Sequence, residues 1–184
     1  MIRDHDRSGW FGASDTHFIM GSWDTKTFAN WWLVKLGIRQ QHFENLQMMT
    51  GTVLEHRILE HLGIRRMDRQ IRIPRLRLRV NLDGEDCRKV TEVKTHYKDF
   101  RVTRPYWMQA QVEMFAARKP VRIAAYQVTE EDYRNYFLPI DPRRITFYPI
   151  QRDDRWLEER YLPRLLYLRE CLVEGRWPRD GAAV

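Results

Sequence analysis

Two short runs of alternating residues, RLRLRVNLD (75–83) and VTEVKTH (90–96), do most to restrict how this chain can fold. Successive side chains on a strand point to opposite faces. Leu76, Leu78, Val80 and Leu82 therefore share one side of the first run, and Arg75, Arg77, Arg79, Asn81 and Asp83 share the other. In the second run Glu92, Lys94 and His96 fall together, with Val93 opposite. An extended run ending at Asp83, a turn through Gly84 and a second rise to Glu92 predict a hairpin. Its polar face gathers Asp83, Glu92 and Lys94 near the open turn. Two carboxylates held that close repel one another, and a divalent cation relieves them. Mg²⁺, which takes hard oxygen ligands and keeps several waters, suits such a pair. The other reading is a surface hairpin with an exposed Glu–Lys pair.

The segments around the hairpin indicate helices and further strands. WDTKTFANWWLVKLG (23–37) reads as a helix capped by Asp24 or Thr25, with a core stripe at Phe28, Trp31, Trp32 and Leu36 and a stop at Gly37. A longer helix is predicted over 43–62, ended by Gly63. Met48, Ile58, Leu59 and Leu62 share a face of it with Glu55, so that carboxyl points inward. An inward carboxylate without a partner is costly; Glu55 is neutral, salt-bridged to an arginine, or a third metal-facing carboxylate. Residues 104–118 return to helical spacing, 121–129 and 143–150 read as strands, and a closing helix runs from Asp153 or Asp154 to Gly175-Arg176-Trp177-Pro178, kinked or divided at Pro163. This order predicts one α/β domain over 1–184, with a small mixed sheet flanked by helices.

Charge supplies the expected partner. The net charge is +7, and of 32 basic residues six are lysine, leaving 26 arginines. Arginine's planar fork suits phosphate oxygens, although a GC-rich genome also favours arginine over lysine. Basicity itself favours a polyanion. Two cysteines exclude four-cysteine zinc and iron–sulfur sites and suit a reducing interior. The polar start MIRDHDRSG is no signal peptide, and no stretch is long and apolar enough to predict a membrane span.

Five motifs, in order along nearly the whole chain, resemble one family. Asp83 and Glu92-x-Lys94 resemble the core of the PD-(D/E)XK nucleases. GTVLEHRI, with Glu55, is similar to their preceding acidic helix, and YWMQAQVEMF (106–115) to the helix that follows. RSGWFGASDTHFIMG (7–21) and RDDRWLEERYLPRLLYLRECLVEGRWP (152–178) are similar to the opening motif and terminal helix of the phage lambda exonuclease and YqaJ-like recombination nucleases. The resemblance implies a restriction-endonuclease-like core. It implies Asp83 and Glu92 as principal metal ligands with the Val93 carbonyl, and Glu55 at a second metal position. Lys94 would position or activate water and Gln109 orient the same centre, with Gln111 its rival. Arg7 and Ser14 would hold the 5′-phosphate of a duplex end, and Asp15 would have to face away from it. The implied activity is Mg²⁺-dependent hydrolysis of double-stranded DNA from 5′ ends, with Mn²⁺ a substitute. It leaves 3′ strands for recombination through a single-strand annealing protein. A homo-oligomer, such as a ring of three, and a cytoplasmic setting in a bacterium or phage-infected host are further implications.

Other candidates carry less. Trp10 and Phe11 could stack on an end base, though core packing is the ordinary role of such rings. Arg75, Arg77 and Arg79 could track a phosphate backbone or form a solvated face. His96 could contact DNA or make an incidental hydrogen bond. His56 and His61 have the wrong spacing to share a metal. Two alternative functions fit the same residues: an endonuclease of the superfamily, or a DNA-binding protein that has kept the fold without catalysis.

Overall fold

The computed structural model describes residues 8–40 and 46–179, with the side chains of 46–52 left aside. A five-stranded mixed sheet runs through it in the order β1 (Arg66–Ile73), β2 (Leu78–Glu85), β3 (Val90–His96), β4 (Val121–Gln127) and β5 (Ile145–Ile150). β3 and β4 are parallel and the other neighbours antiparallel. The helix α4 (Arg104–Ala117) makes the crossover between the parallel pair, as a parallel connection requires.

Both faces of the sheet are covered. Leu78, Val80, Leu82, Val90 and Val121 pack with Val112 and Met114 of α4. The same cluster includes Ile19 of α1 (Thr16–Met20), the rings of α2 (Lys26–Lys35) and Leu165 and Leu168 of α7 (Leu162–Glu174). On the opposite face Leu54, Ile58 and Leu59 of α3 (Leu46–His61) pack on Val93, Tyr126 and Val128. The small mixed sheet flanked by helices is the predicted class of fold. Thr25 caps α2 by accepting from the Phe28 N–H, and Gly37, Gly63 and Gly175 take positive φ where helices end. The stretch FANWW is core, with Phe28, Trp31 and Trp32 buried. The start predicted for α3 at 43 falls partly outside the described residues.

Three local predictions are corrected. The chain does not turn at Gly84, which lies inside β2; the turn is at 86–89, where Asp86 accepts from the N–H groups of Arg88 and Lys89. Gly84 is needed for close approach instead: a Cβ there would stand 2.6 Å from Leu59 Cδ2 and 3.0 Å from Ile64 Cγ2. The arginine ladder is broken, because Arg75 sits in a 3₁₀ turn (Pro74–Leu76) and Arg77 is left-handed at φ 50, leaving only Arg79 in the strand, buried. Of the two readings at Pro163, a kink or a division, division is overturned: the chain stays helical from Asp154 to Glu174. The preceding turn, Leu157–Tyr161, widens to π geometry between α6 (Asp154–Trp156) and α7. That turn absorbs the proline's missing N–H and ring bulk.

One feature of the sheet makes room for a site. β2 and β3 pair at only two positions, Gly84 with Thr91 and Glu85 with Val90, and then part. The edge of β2 thus released is taken up farther along by Phe11, whose N–H donates to the Arg77 carbonyl and whose carbonyl accepts from the Arg79 N–H. Between the Phe11 bridge and the β3 pairing, the β2 edge stays open. Glu85 anchors the paired end: buried, it binds Arg66, Arg69 and Lys119, each at 2.9 Å.

Candidate active site

The opening between the diverging strands is filled by polar groups. Asp83 spans it, its Oδ2 accepting from the Val93 N–H at 2.8 Å, so this carboxylate replaces a lost ladder bond. On β3, Glu92 is buried and its Oε1 accepts from Lys94 Nζ at 2.6 Å and Gln109 Nε2 at 2.5 Å. The Gln109 amide also donates to Glu113 Oε1 at 2.8 Å, and its oxygen stands 3.5 Å from Lys94 Nζ. Gln109 and Glu113 lie one turn apart on α4, so a single helix face delivers both. The structure thus brings together Asp83, Glu92, Lys94 and Gln109. Glu55 of α3 belongs to the same electrostatic group and lines one cavity with Asp83.

Burial and mutual repulsion dominate the cluster. Burial first, then the charges of Glu92 and Glu55, push Asp83 well above the usual carboxylate range. Burial and then Glu92 push Glu55 up to about 7. Glu113, fully buried, is raised for the same two reasons. Burial alone would lower Lys94, but Glu92 and Asp83 outweigh it, and the ammonium is held above its ordinary value. One oxygen of Glu92 and one of Glu113 (Oε2 in each) are buried and accept from no other group, and Glu113, raised into its protonated form, hydrogen-bonds Glu92. Buried polar atoms are rarely left unpaired, and a shared proton satisfies this pair. Hard-oxygen carboxyls that repel one another also suit a divalent cation by chemistry. The spacing is loose, however: among the described residues the one trio whose donor atoms all lie within 4.8 Å is Glu55, His56 and Asp68.

A cavity of about 310 Å³ adjoins the cluster along the open edge of β2. Glu55, Asp68, Asp83 and Gln109 line one part, and Trp10, Ser14, Lys35 and Arg79 another. Ser14 is exposed in a 3₁₀ turn (Ala13–Asp15) just before α1. Asp15 lines the same cavity as Ser14, with its carboxylate bound by Lys35 Nζ at 2.6 Å, Trp31 Nε1 at 2.9 Å and the Gly12 N–H at 2.7 Å. Arg7 lies outside the described residues. Gln111 is not part of the centre. Its amide accepts from the Asp153 N–H and donates to the Gln151 carbonyl, tying α4 to the start of the closing helix.

Phe11 is wholly buried, the core role expected of such a ring, whereas Trp10 is half-buried at the cavity, with the guanidiniums of Arg72 and Arg77 5.8 and 6.0 Å from its ring. His56, set aside for its spacing from His61, instead pairs with Asp68 of β1 at 3.1 Å. Glu113 was missed, although its spacing of four from Gln109 placed it on the same helix face.

No protein-family model matches the sequence, and no curated protein does. Solved structures do resemble it. An alkaline exonuclease from Laribacter hongkongensis superposes with a TM-score of 0.65 over 92% of each chain, at 18% identity. A phage-related exonuclease from Haemophilus somnus 129PT gives 0.60 over 90% of this chain and 96% of its own, at 13% identity. The fold is the one these two exonucleases have, and the likeness read in the motifs is found again in the architecture.

Proposed function

We propose that this chain is a metal-dependent deoxyribonuclease that shortens double-stranded DNA from its 5′ ends, leaving 3′ single strands. The observation that carries the reading is the meeting of Asp83, Glu92, Lys94 and Gln109 where β2 and β3 part, beside a cavity that leads to Ser14. A binding module has no need of buried carboxyls that repel one another.

In this reading Asp83 and Glu92 hold the first cation with the Val93 carbonyl, and Glu55 serves a second position. Glu113 supports them from beneath through Gln109. Mg²⁺, or Mn²⁺ in its place, would acidify the attacking water and offset the charge that builds on phosphate and leaving oxygen. Lys94, 2.6 Å from Glu92, is placed to position or activate the attacking water. Gln109 fixes Lys94 and Glu92 relative to each other through its two ends. Ser14 and Arg7 receive the 5′-phosphate, which sets which bond lies over the carboxylates. The chain's +7 charge draws DNA in before any specific contact forms.

The partners follow from the products: duplex ends as substrate, a single-strand annealing protein to receive the 3′ strand, and other copies of this chain in a ring. The test compares linear duplex labelled separately at each end with covalently closed circles, in Mg²⁺, in Mn²⁺ and in EDTA. Linear DNA should shorten from its 5′ termini only, circles should persist, and EDTA should stop the reaction. Nicked circles would replace the exonuclease with an endonuclease, and intact linear DNA would remove the nuclease reading altogether.

A further inference from the structure

Among the described residues, the ligand-type groups that stand closest together are not the ones the motifs point to. Glu55 and His56 follow one another on α3, and Asp68 comes from β1. Their donor atoms all lie within 4.8 Å of one another, and His56 Nε2 is 3.1 Å from Asp68 Oδ2. The sheet brings Asp68 there. Met67 pairs with Gly84 and Arg69 with Leu82, so the register sets Asp68 opposite Asp83. Two carboxylates facing each other across a strand pair repel. Asp83 turns to the Val93 N–H, and Asp68, at φ 54, turns to His56. Asp68, Glu55 and Asp83 line one cavity, and the side chains of His56 and Asp68 are 37% and 16% exposed, open to an ion arriving from water.

We propose that Glu55, His56 and Asp68 hold a cation of their own, beside the position at Asp83 and Glu92, and that its occupant is a first-row transition metal rather than Mg²⁺. Its part as the second ion of the reaction rests on the nuclease reading given above. Ligands at about 2.1 Å, set at right angles about one ion, stand about 3 Å apart. The His56–Asp68 separation matches that spacing. A hydrogen bond would give the same distance, so the donor set has to decide between them. A nitrogen donor separates this trio from a patch of acidic side chains, which attracts cations without choosing among them. Imidazole is a common ligand of transition metals, whereas Mg²⁺ takes hard oxygens and keeps its waters. Asp83 and Glu92 offer oxygen alone. The two neighbouring positions therefore differ in chemistry, and Mg²⁺ in excess should fill the first without displacing the ion at the second.

The test uses Mn²⁺, the weakest binder of the first-row series and one whose unpaired electrons report its ligands. The full chain, without DNA, is given Mn²⁺ in millimolar Mg²⁺, and electron spin-echo modulation is recorded. Wild type should show the modulation of a coordinated nitrogen nucleus. His56→Gln should lose it and bind Mn²⁺ more weakly by roughly tenfold or more, as counted from the free-ion signal. Asp68→Asn, which keeps a residue tolerant of the left-handed backbone, should weaken binding in the same way. It also gives a second reading should His56→Gln not fold, as judged by its thermal melt. Asp83→Asn should leave the nitrogen signal in place. A wild-type ion with no nitrogen neighbour overturns the proposal and leaves His56 and Asp68 as an ion pair only. So does a nitrogen signal that survives His56→Gln, or one that excess Mg²⁺ removes. Intact linear DNA beside a nitrogen-bound Mn²⁺ would strike out the nuclease reading and keep the site; cut DNA with no such ion would do the reverse.

Discussion

Raising the pH of the metal-free protein from 5 to 8 should destabilise it, and Mg²⁺ should restore much of the loss. Glu55 is pushed up from 4.5 to about 7, by burial first and by Glu92 next. The unfolded chain releases this proton near 4.5, so between 4.5 and 7 the native state binds more protons than the unfolded one. Stability therefore falls as pH rises through that window. The difference of about 2.5 pH units, at roughly 1.36 kcal/mol each, comes to about 3 kcal/mol from Glu55. Asp83 and Glu113 are shifted the same way and add to it. Asp15, Glu85 and Asp132 are lowered below 3.8, 4.5 and 3.8, so their contribution is complete above those values and does not change over this range. For a chain of this length about 3 kcal/mol corresponds to roughly 6–12 °C in melting temperature. A cation binds the ionised carboxylates, so Mg²⁺ should raise the melting temperature much more at pH 8 than at pH 5. Thermal melts followed by circular dichroism, in EDTA and in millimolar Mg²⁺ at both pH values, measure the four numbers needed. A metal-free melting temperature that is flat or rises from pH 5 to 8 refutes the reasoning, as does an equal gain from Mg²⁺ at both.

Other expectations concern single residues. Lys94→Ala should abolish cleavage while leaving duplex binding, measured by fluorescence anisotropy, nearly intact; unchanged cleavage would remove Lys94 from the reaction. Dephosphorylated 5′ ends should be digested more slowly than phosphorylated ones, and Ser14→Ala and Arg7→Ala should shrink that difference in initial rates. Lys35→Met leaves the buried Asp15 carboxylate without its cation and should cost about 3–5 kcal/mol in urea unfolding, with part recovered in the double variant Lys35→Met/Asp15→Leu. Gly84→Ala sets a methyl against Leu59 and should cost about 1–3 kcal/mol by the same assay, a loss that Leu59→Ala in the same chain should not simply add to.

The elements were legible where local signals and burial agree. The cap at Thr25, the glycines after α2, α3 and α7, and the apolar faces of α3 and α4 all mark themselves along the chain. What failed were features decided by contacts distant in sequence. Gly84 carries the signature of a turn, yet the reason for it is Leu59, 25 residues earlier, pressing on the sheet. The arginines alternate as a strand should, yet the chain leaves β1 by a 3₁₀ turn at Pro74 and puts Arg77 in a left-handed conformation. Pro163 reads as a kink or a division, and one π turn keeps the helix continuous there while Trp156, Leu157 and Tyr161 stay packed in the core.

The site shows the same division more sharply. Period two on β3 suffices to place Glu92 beside Lys94, and period 3.6 on α3 suffices to turn Glu55 inward; both geometries are local. The position of Asp83 depends on something no strand pattern records, the parting of β2 from β3 after two paired residues. That parting removes a ladder partner from the Val93 N–H and lets a carboxylate take its place. It also frees the β2 edge for Phe11, which brings Ser14 within one cavity of Asp83. The groups proposed for catalysis and for end binding are thus consequences of a single defect in the sheet. Glu113 follows the same logic from the other side. A glutamate among Val112, Met114 and Ala110 looks like a misplaced charge in a core stripe, and only the gap in the sheet gives Gln109 and Glu92 room to meet it. A β2–β3 pairing completed along its full length would bury the Val93 N–H in a ladder bond and turn Asp83 out of the centre. The divergence of these two strands is therefore the structural condition on which the proposed chemistry depends.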